Sequence, residues 1–424
     1  MRKAEDSTVL ICVWQKVALT ILVISLIWPS PKPASAGGLK DTVKNLYAGD
    51  GILLQIPTVG PSHSPHFTAS AVQGLDSLST ALASNLGLFA FNSTVTGFTF
   101  DIERGVPVRT TESLGPLLAE RARTVGARKI NVAFSYTRLD FKRFEGKRLN
   151  RLSLTFTHDD VNGDGILGPT PSFPSDVEID SIRVDLDLEI KQDVFGYFAT
   201  YGLTRTWDVG IVVPIVHTRV RAEAEATIIR NATNPLSSDV HNFDPALDAP
   251  RSTGGGDKTG IGDIILRTKY NFLRSSNGWP DLAIVGEVKL PTGDQDNLLG
   301  TGETNFKGLF VASRSFGPGA EVRWLTPHIN LGYEVSTDSE QNNLRYVTGF
   351  DARVHPSLTI AVDGLGRWEP EGDGIGDHTV DLALGAKWEP LPFFLLNAGV
   401  QVPLNRSEGI RPNLIWTLGL EYTF

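Results

Sequence analysis

Pro412-Asn413-Leu414-Ile415-Trp416-Thr417-Leu418-Gly419-Leu420-Glu421-Tyr422-Thr423-Phe424 is the stretch that decides the fold. Leu414, Trp416, Leu418, Leu420, Tyr422 and Phe424 take every second position, with Asn413, Ile415, Thr417, Gly419, Glu421 and Thr423 between them. Side chains alternate across a strand, so one face is a continuous apolar stripe and the other is mostly small or polar. The pattern recurs upstream. Leu344, Tyr346, Thr348 and Phe350 alternate with Arg345, Val347, Gly349 and Asp351; Val380, Leu382, Leu384 and Trp388 alternate with Asp381, Ala383, Gly385 and Lys387. Ile182, Val184, Leu186, Leu188 and Ile190 alternate with Arg183, Asp185, Asp187, Glu189 and Lys191. Putting such charges in lipid costs about 2–4 kcal/mol for each midplane basic residue, and a dry soluble core is no kinder to them. An apolar outside and a wet, charged inside accommodates both rows. That arrangement is an all-β, antiparallel transmembrane β-barrel.

The aromatic chain end adds to this reading. An alternating strand closing on Phe424, with Tyr422 and Leu420 on the same face, resembles the signature by which outer-membrane barrels are recognised by the assembly machinery. Alternating runs and turn signals place strands at 128–158 (bent near Gly146), 179–201, 207–229, 260–273, 281–292, 306–316, 323–337, 343–353, 358–369, 377–388, 393–402 and 412–424. About twelve strands, an even number, leave both chain ends on one side, and short reversals alternate with long ones as bacterial barrels require. Trp207, Trp279, Trp324 and Trp388 fall at strand ends on the periplasmic side of this topology, where an aromatic girdle sits.

The first residues read as an export signal. Arg2, Lys3 and Lys16 precede an apolar run from Val17 to Trp28, followed by prolines and Ala34-Ser35-Ala36, which predicts cleavage after Ala36. Twelve residues of helix rise only about 18 Å, short of a hydrocarbon core of about 30 Å. Removing residues 1–36 takes Arg2, Lys3, Lys16 and Lys32 with Glu5 and Asp6, so the formal net charge moves from −9 to −11. That balance argues against nucleic acid as a partner. The single cysteine, Cys12, leaves with the signal, and with it any thiol nucleophile, thiolate ligand or disulfide. The expected destination is the outer membrane of a Gram-negative bacterium, with outer-membrane lipid as a permanent partner.

Residues 37–126 read differently from the barrel at 127–424. Lys40 to Leu54 predicts a short helix, and Leu75, Leu78, Leu82 and Leu86 form one helical face within 67–86. Gly97 to Glu103 alternates like a strand. An apolar helix face needs a partner, so this segment is expected to be a partly helical plug in the lumen, with a periplasmic cap as the alternative.

Two sets of motifs carry a family resemblance. Thr259-Gly260-Ile261-Gly262-Asp263, Lys289-Leu290-Pro291-Thr292-Gly293-Asp294 and Gly300-Thr301-Gly302 resemble the pattern of an outer-membrane transporter family named for the meta-pathway of phenol degradation, over roughly Asp180 to Phe424. Ser113-Leu114-Gly115-Pro116 through Ala119-Glu120-Arg121-Ala122 is similar to uncharacterised barrel relatives. The resemblance implies a barrel for uptake of small, often aromatic or apolar compounds. Physically, the glycines read as bends at strand ends rather than as chemistry.

Candidate functional residues are few. Arg183, Asp185, Asp187, Glu189 and Lys191, continued by Arg219, Arg221, Glu223 and Glu225, are read as lining the lumen in mixed-sign rows, which suits ion-pair cross-links better than charge selectivity. Asp160, Asn162 and Asp164, with Gly165, match the first half of a calcium loop, but Pro171 stands where a bidentate glutamate belongs. No other cofactor is expected. Gly254-Gly255-Gly256-Asp257-Lys258-Thr259 lacks the Gly-Lys pair of a phosphate loop. His158, His217, His241, His328, His355 and His378 show no spacing of a hydrolase triad, so no enzyme is expected. The expected function is a passive outer-membrane channel for a small solute. A receptor or structural barrel with a sealed lumen is the alternative, and a barrel enzyme the remote one.

Overall fold

The alternating rows fold into twelve antiparallel staves, and the computed structural model closes them into a barrel. In chain order they are β1 (Lys129–Phe144), β2 (Ser181–Gly202), β3 (Trp207–Ile229), β4 (Arg251–Ile261 and Ile264–Leu273), β5 (Asp281–Leu290) and β6 (Asn305–Ser313). They continue with β7 (Leu325–Ser336), β8 (Asn343–His355), β9 (Leu358–Trp368), β10 (His378–Leu391), β11 (Phe394–Pro403) and β12 (Ile410–Tyr422). Neighbours in sequence pair antiparallel throughout, and β12 pairs back onto β1, with Leu418 opposite Tyr136. The structure describes residues 38–46, 98–101, 106–109, 113–158, 160, 177–231, 241–243, 250–274, 278–317, 324–337, 342–370, 377–391 and 394–422. The predicted signal at 1–36, the leucine-faced helix at 67–86, and Asn162, Asp164 and Phe424 lie outside these residues.

The staves meet at two unlike ends. Turns at 203–206 and 356–357 mark one end, where β1 begins and β12 finishes; connections such as 230–250 and 291–304 mark the other. We call them the turn end and the loop end. Staves β5 to β12 are 9–14 residues long, close to the 9–11 residues that a tilted strand needs to cross a bilayer. Leu414, Trp416, Leu418 and Leu420 face outward and are exposed, as are Tyr270, Ile284, Phe310, Ile329 and Phe350, while Thr417 and Glu421 turn inward and are buried. Trp207, Trp279, Trp324 and Trp388 are exposed at the turn end.

Staves β2 and β3 break that length rule. At 22 and 23 residues they reach roughly 70 Å at about 3.3 Å per residue, far beyond a hydrocarbon core. Their loop-end halves continue as a sheet with Leu152–Thr157 on one flank and Arg251–Ile261 on the other. This extension overturns one reading from the sequence. Alternation is unbroken along β3 from Asp208, which accepts a hydrogen bond inside the barrel, to Ala226. Val216, Val220, Ala222 and Ala224 therefore face inward with Val184, Leu186, Leu188 and Ile190 of β2, and all are buried. Arg183, Asp185, Asp187, Glu189, Lys191, Arg219, Arg221, Glu223 and Glu225 share the outward face, so they do not line the lumen. Above the lipid, water wets the outside of the sheet, and the charges belong there. Some pair with the neighbouring stave and some along their own: Arg219 with Asp257 of β4 (2.5 Å), Glu225 with Arg251 of β4 (3.1 Å) and Arg183 with Asp185 (3.4 Å).

The segment before the barrel touches both ends. Leu39–Asp41 is a single 3-10 turn and Thr42–Asn45 a short helix, the described part of the helix expected at 40–54. Leu39, Val43 and Leu46 pack with Val220, Ala222, Ala224 and Leu298 on the inner face of the extension. Phe98–Asp101 and Val106–Arg109 form a hairpin at the turn end, where Asp101 pairs with Lys129 at the start of β1. The expected strand near 97–103 is present; no described residue before the barrel forms a long helix.

Candidate functional site

Residues 113–126 run as an irregular strap around the inner wall. A segment without regular structure must find acceptors for its buried N–H groups, and polar side chains of the wall supply them. Leu114 N–H donates to Thr359 Oγ1 (3.0 Å) and Leu118 N–H to Asp363 Oδ2 (3.0 Å). Glu120 N–H donates to Asn330 Oδ1 (2.7 Å), Ala122 N–H to Ser313 Oγ (3.2 Å) and Val125 N–H to Asp208 Oδ2 (2.9 Å). These acceptors stand on β9, β7, β6 and β3, so the strap spans the lumen from one side to the other.

Charge holds the strap as well. The Glu120 carboxylate accepts from Lys269 Nζ (2.8 Å) and pairs with Arg267 (3.0 Å), both on β4. The Arg121 guanidinium donates to Asp351 and to Ser113, and Arg123 Nε donates to Asp281 (2.8 Å). His328 Nε2 lies 2.7 Å from Asp363 Oδ1, joining the strap's acceptor to β7. Breaking a buried pair by removing one partner costs about 3–5 kcal/mol, so the strap is fastened at several points. Leu117 seats against the inner face at Gly385 and Gly399, a cross-strand pair where a Cβ would collide with it. Glycine is required there for close approach.

The loop end is narrowed by a second device. Asp263, between the two halves of β4, accepts from Gly293 N–H (3.0 Å), Thr301 N–H (2.8 Å) and Thr301 Oγ1 (2.9 Å). Lys289 Nζ donates to Thr301 Oγ1 (2.8 Å), and Thr292 Oγ1 donates to the Gly262 carbonyl (2.7 Å). The three motifs around 259–263, 289–294 and 300–302 are thus one hydrogen-bonded knot. It folds loop 291–304 inward, so that the Leu298 carbonyl accepts from Gln192 Nε2 (3.0 Å) and Thr218 Oγ1 (3.0 Å) on the inner face of β2 and β3. Asp296 in this loop receives Lys40 Nζ at 2.5 Å, and that bond raises the lysine pKa.

Between these constrictions lies a cavity of about 180 Å³. Leu118 and Glu120 of the strap line it, together with residues of β1 and of β3 to β12. One part of the lining is apolar (Leu139, Phe141, Val347, Leu365, Ile415) and another is charged (Arg267, Glu287, Lys307, Arg345, Arg367, Arg411). A cavity of about 150 Å³ accommodates a benzene ring.

The charged rows predicted as lumen-lining are brought together by the fold, but on the outer face of the extension. Sequence reading placed Arg345, Asp351, Asp381, Lys387 and Glu421 on the wet face, and all five are inward. It missed Asp263, Asp363 and Asp208 as acceptors. Asp160 is described, whereas the rest of the candidate calcium loop is not.

Residues 174–362 match the model of the family described as "Putative MetA-pathway of phenol degradation". The motif resemblance is borne out over that stretch. Among solved structures, the chain is similar to the COG4313 outer membrane channel from Pseudomonas putida F1, at 12% identity and a TM-score of 0.44, covering 72% of this chain and 98% of that one. It is similar to the Ralstonia pickettii toluene transporter TbuX at 11% identity and a TM-score of 0.34, covering 70% and 90%. The CymD monoaromatic hydrocarbon channel aligns at 10% identity and a TM-score of 0.32, covering 70% and 89%. No curated protein matches the chain by sequence.

Proposed function

We propose that this chain is an outer-membrane channel for passive uptake of small apolar or aromatic compounds, with its turn end in the periplasm. The observation that carries the reading is the combination of an exposed apolar outer belt with a ring-sized cavity inside a closed barrel, bordered by a strap of the chain bonded to the inner wall. A wide aqueous pore has no use for a strap laid across its wall. A barrel serving only as a scaffold would have no reason to hold a cavity lined half by apolar groups. The family match agrees with this class of solute.

A sealed receptor or structural barrel is the second reading, favoured by the number of buried bonds that fasten the strap. Uptake decides between them. Expressed in a Gram-negative host with an intact outer membrane, the protein is expected to raise the uptake rate of radiolabelled toluene several-fold over vector. Uptake equal to vector, with the barrel folded in the membrane, overturns the channel reading.

A further inference from the structure

We propose that the loop-end cavity is a binding site for a small amphiphilic monoanion, an apolar ring or short chain carrying one carboxylate. The proposal deepens the channel reading by naming the solute class of the same lumen. Five basic side chains line the cavity (Arg267, Lys307, Arg345, Arg367, Arg411) against three acidic ones (Glu120, Glu287, Asp381).

The acids are already paired with three of these bases, Arg267, Lys307 and Arg411. Glu120 is held by Lys269 and Arg267, Glu287 lies against Lys307 and Arg267, and Asp381 receives Arg411 and Gln401.

Arg345 and Arg367 are different, because they stand directly opposite each other as a cross-strand pair on the inner faces of β8 and β9. Like charges in that relation repel. Their carboxylate partners, Glu334 (2.5 Å from Arg345) and Glu369 (3.6 Å from Arg367), sit one rung nearer the loop end and do not line the cavity. The two guanidiniums therefore present a basic corner to the cavity, where a carboxylate of a solute would relieve their repulsion and accept a forked hydrogen bond. On other staves of the same cavity, Leu139, Phe141 and Ile415 offer an apolar wall for the remainder of the solute, with Leu118 and Leu365 beside the corner. A bare hydrocarbon would leave the basic corner unused, and a small inorganic anion would leave the apolar wall unused.

The test is equilibrium binding of benzoate, benzyl alcohol and acetate to detergent-solubilised full-length protein, read by ligand-observed NMR. Benzoate is expected to bind saturably and about tenfold more tightly than either of the others, the scale of one charge-assisted contact. Arg345→Gln and Arg367→Gln should each bring benzoate down to the level of benzyl alcohol without weakening benzyl alcohol. The migration shift of unboiled protein on a gel checks that each variant is folded, and the wild-type comparison stands whether or not they fold. Equal binding of benzoate and benzyl alcohol, or of benzoate and acetate, overturns the proposal, as does no binding of benzoate. Toluene uptake by cells is scored separately, so the channel reading stands or falls on its own result.

Discussion

Stave β12 and the loop-end half of β2 alternate with the same period and face their apolar rows in opposite directions. On β12, Leu414, Trp416, Leu418 and Leu420 point outward and are exposed; on β2, Val184, Leu186, Leu188 and Ile190 point inward and are buried. Alternation states that a strand separates two media and leaves open which medium lies on which side. Length settles it. A stave of 13 residues stays within the lipid, whereas one of 22 residues must leave it, and outside the lipid a sheet follows the soluble rule of charged surface over apolar core. The inner face of the extension then needs something to cover it. Leu298, Leu299 and the turn of chain carrying Leu39, Val43 and Leu46 supply that cover.

Substitutions that move charge from one face to the other test this contrast. The largest effect is expected for Leu186→Asp, which buries an unpaired carboxylate among Leu and Val side chains. A loss of about 3 kcal/mol or more should appear as protease sensitivity of the extension while the barrel keeps its unboiled gel shift. If Leu186→Asp is tolerated and Asp187→Leu is not, the faces have been assigned the wrong way round. Leu418→Arg should come next, at about 2–4 kcal/mol if the site lies near the midplane, read as reduced surface level of folded barrel. Asp363→Asn should weaken the acceptor of the Leu118 and Ala119 N–H groups and raise ion conductance modestly, since a charge-assisted bond contributes about 1.5–3 kcal/mol. The smallest effect belongs to Asp187→Ala and Arg221→Ala. Exposed and only weakly paired, they should change stability by no more than about 0.5 kcal/mol and leave conductance unchanged. A clear conductance change in either would put these side chains back in the pore.

Much of the wall was legible from sequence because its cause is local. Period-two rows at 343–353, 377–388 and 412–424 sit within two or three residues of β8, β10 and β12, and the inward placement of Arg345, Asp381 and Lys387 follows directly. The site was less legible because its contacts are not local. Asp263 reads as the end of a glycine-rich bend until Gly293 and Thr301 arrive from 30 and 38 residues away. Asp363 is one inward residue among several until the strap supplies two N–H groups from residues 118 and 119. The strap itself has no period, since its hydrogen bonds run to side chains of the wall. Gly385 and Gly399 likewise show their purpose only when Leu117 is in place.

If the chain's own amino-terminal segment stops the lumen, single-channel recording in planar bilayers will show it. Two forms should be compared with the intact protein: one lacking residues 37–126, and a full-length form carrying Glu120→Ala and Arg121→Ala to loosen the strap. Intact protein should conduct ions near the baseline, the full-length variant more, and the truncated barrel most, each checked for closure by its gel shift. Equal conductance in the intact and loosened full-length proteins would mean that the strap is not what closes the pore.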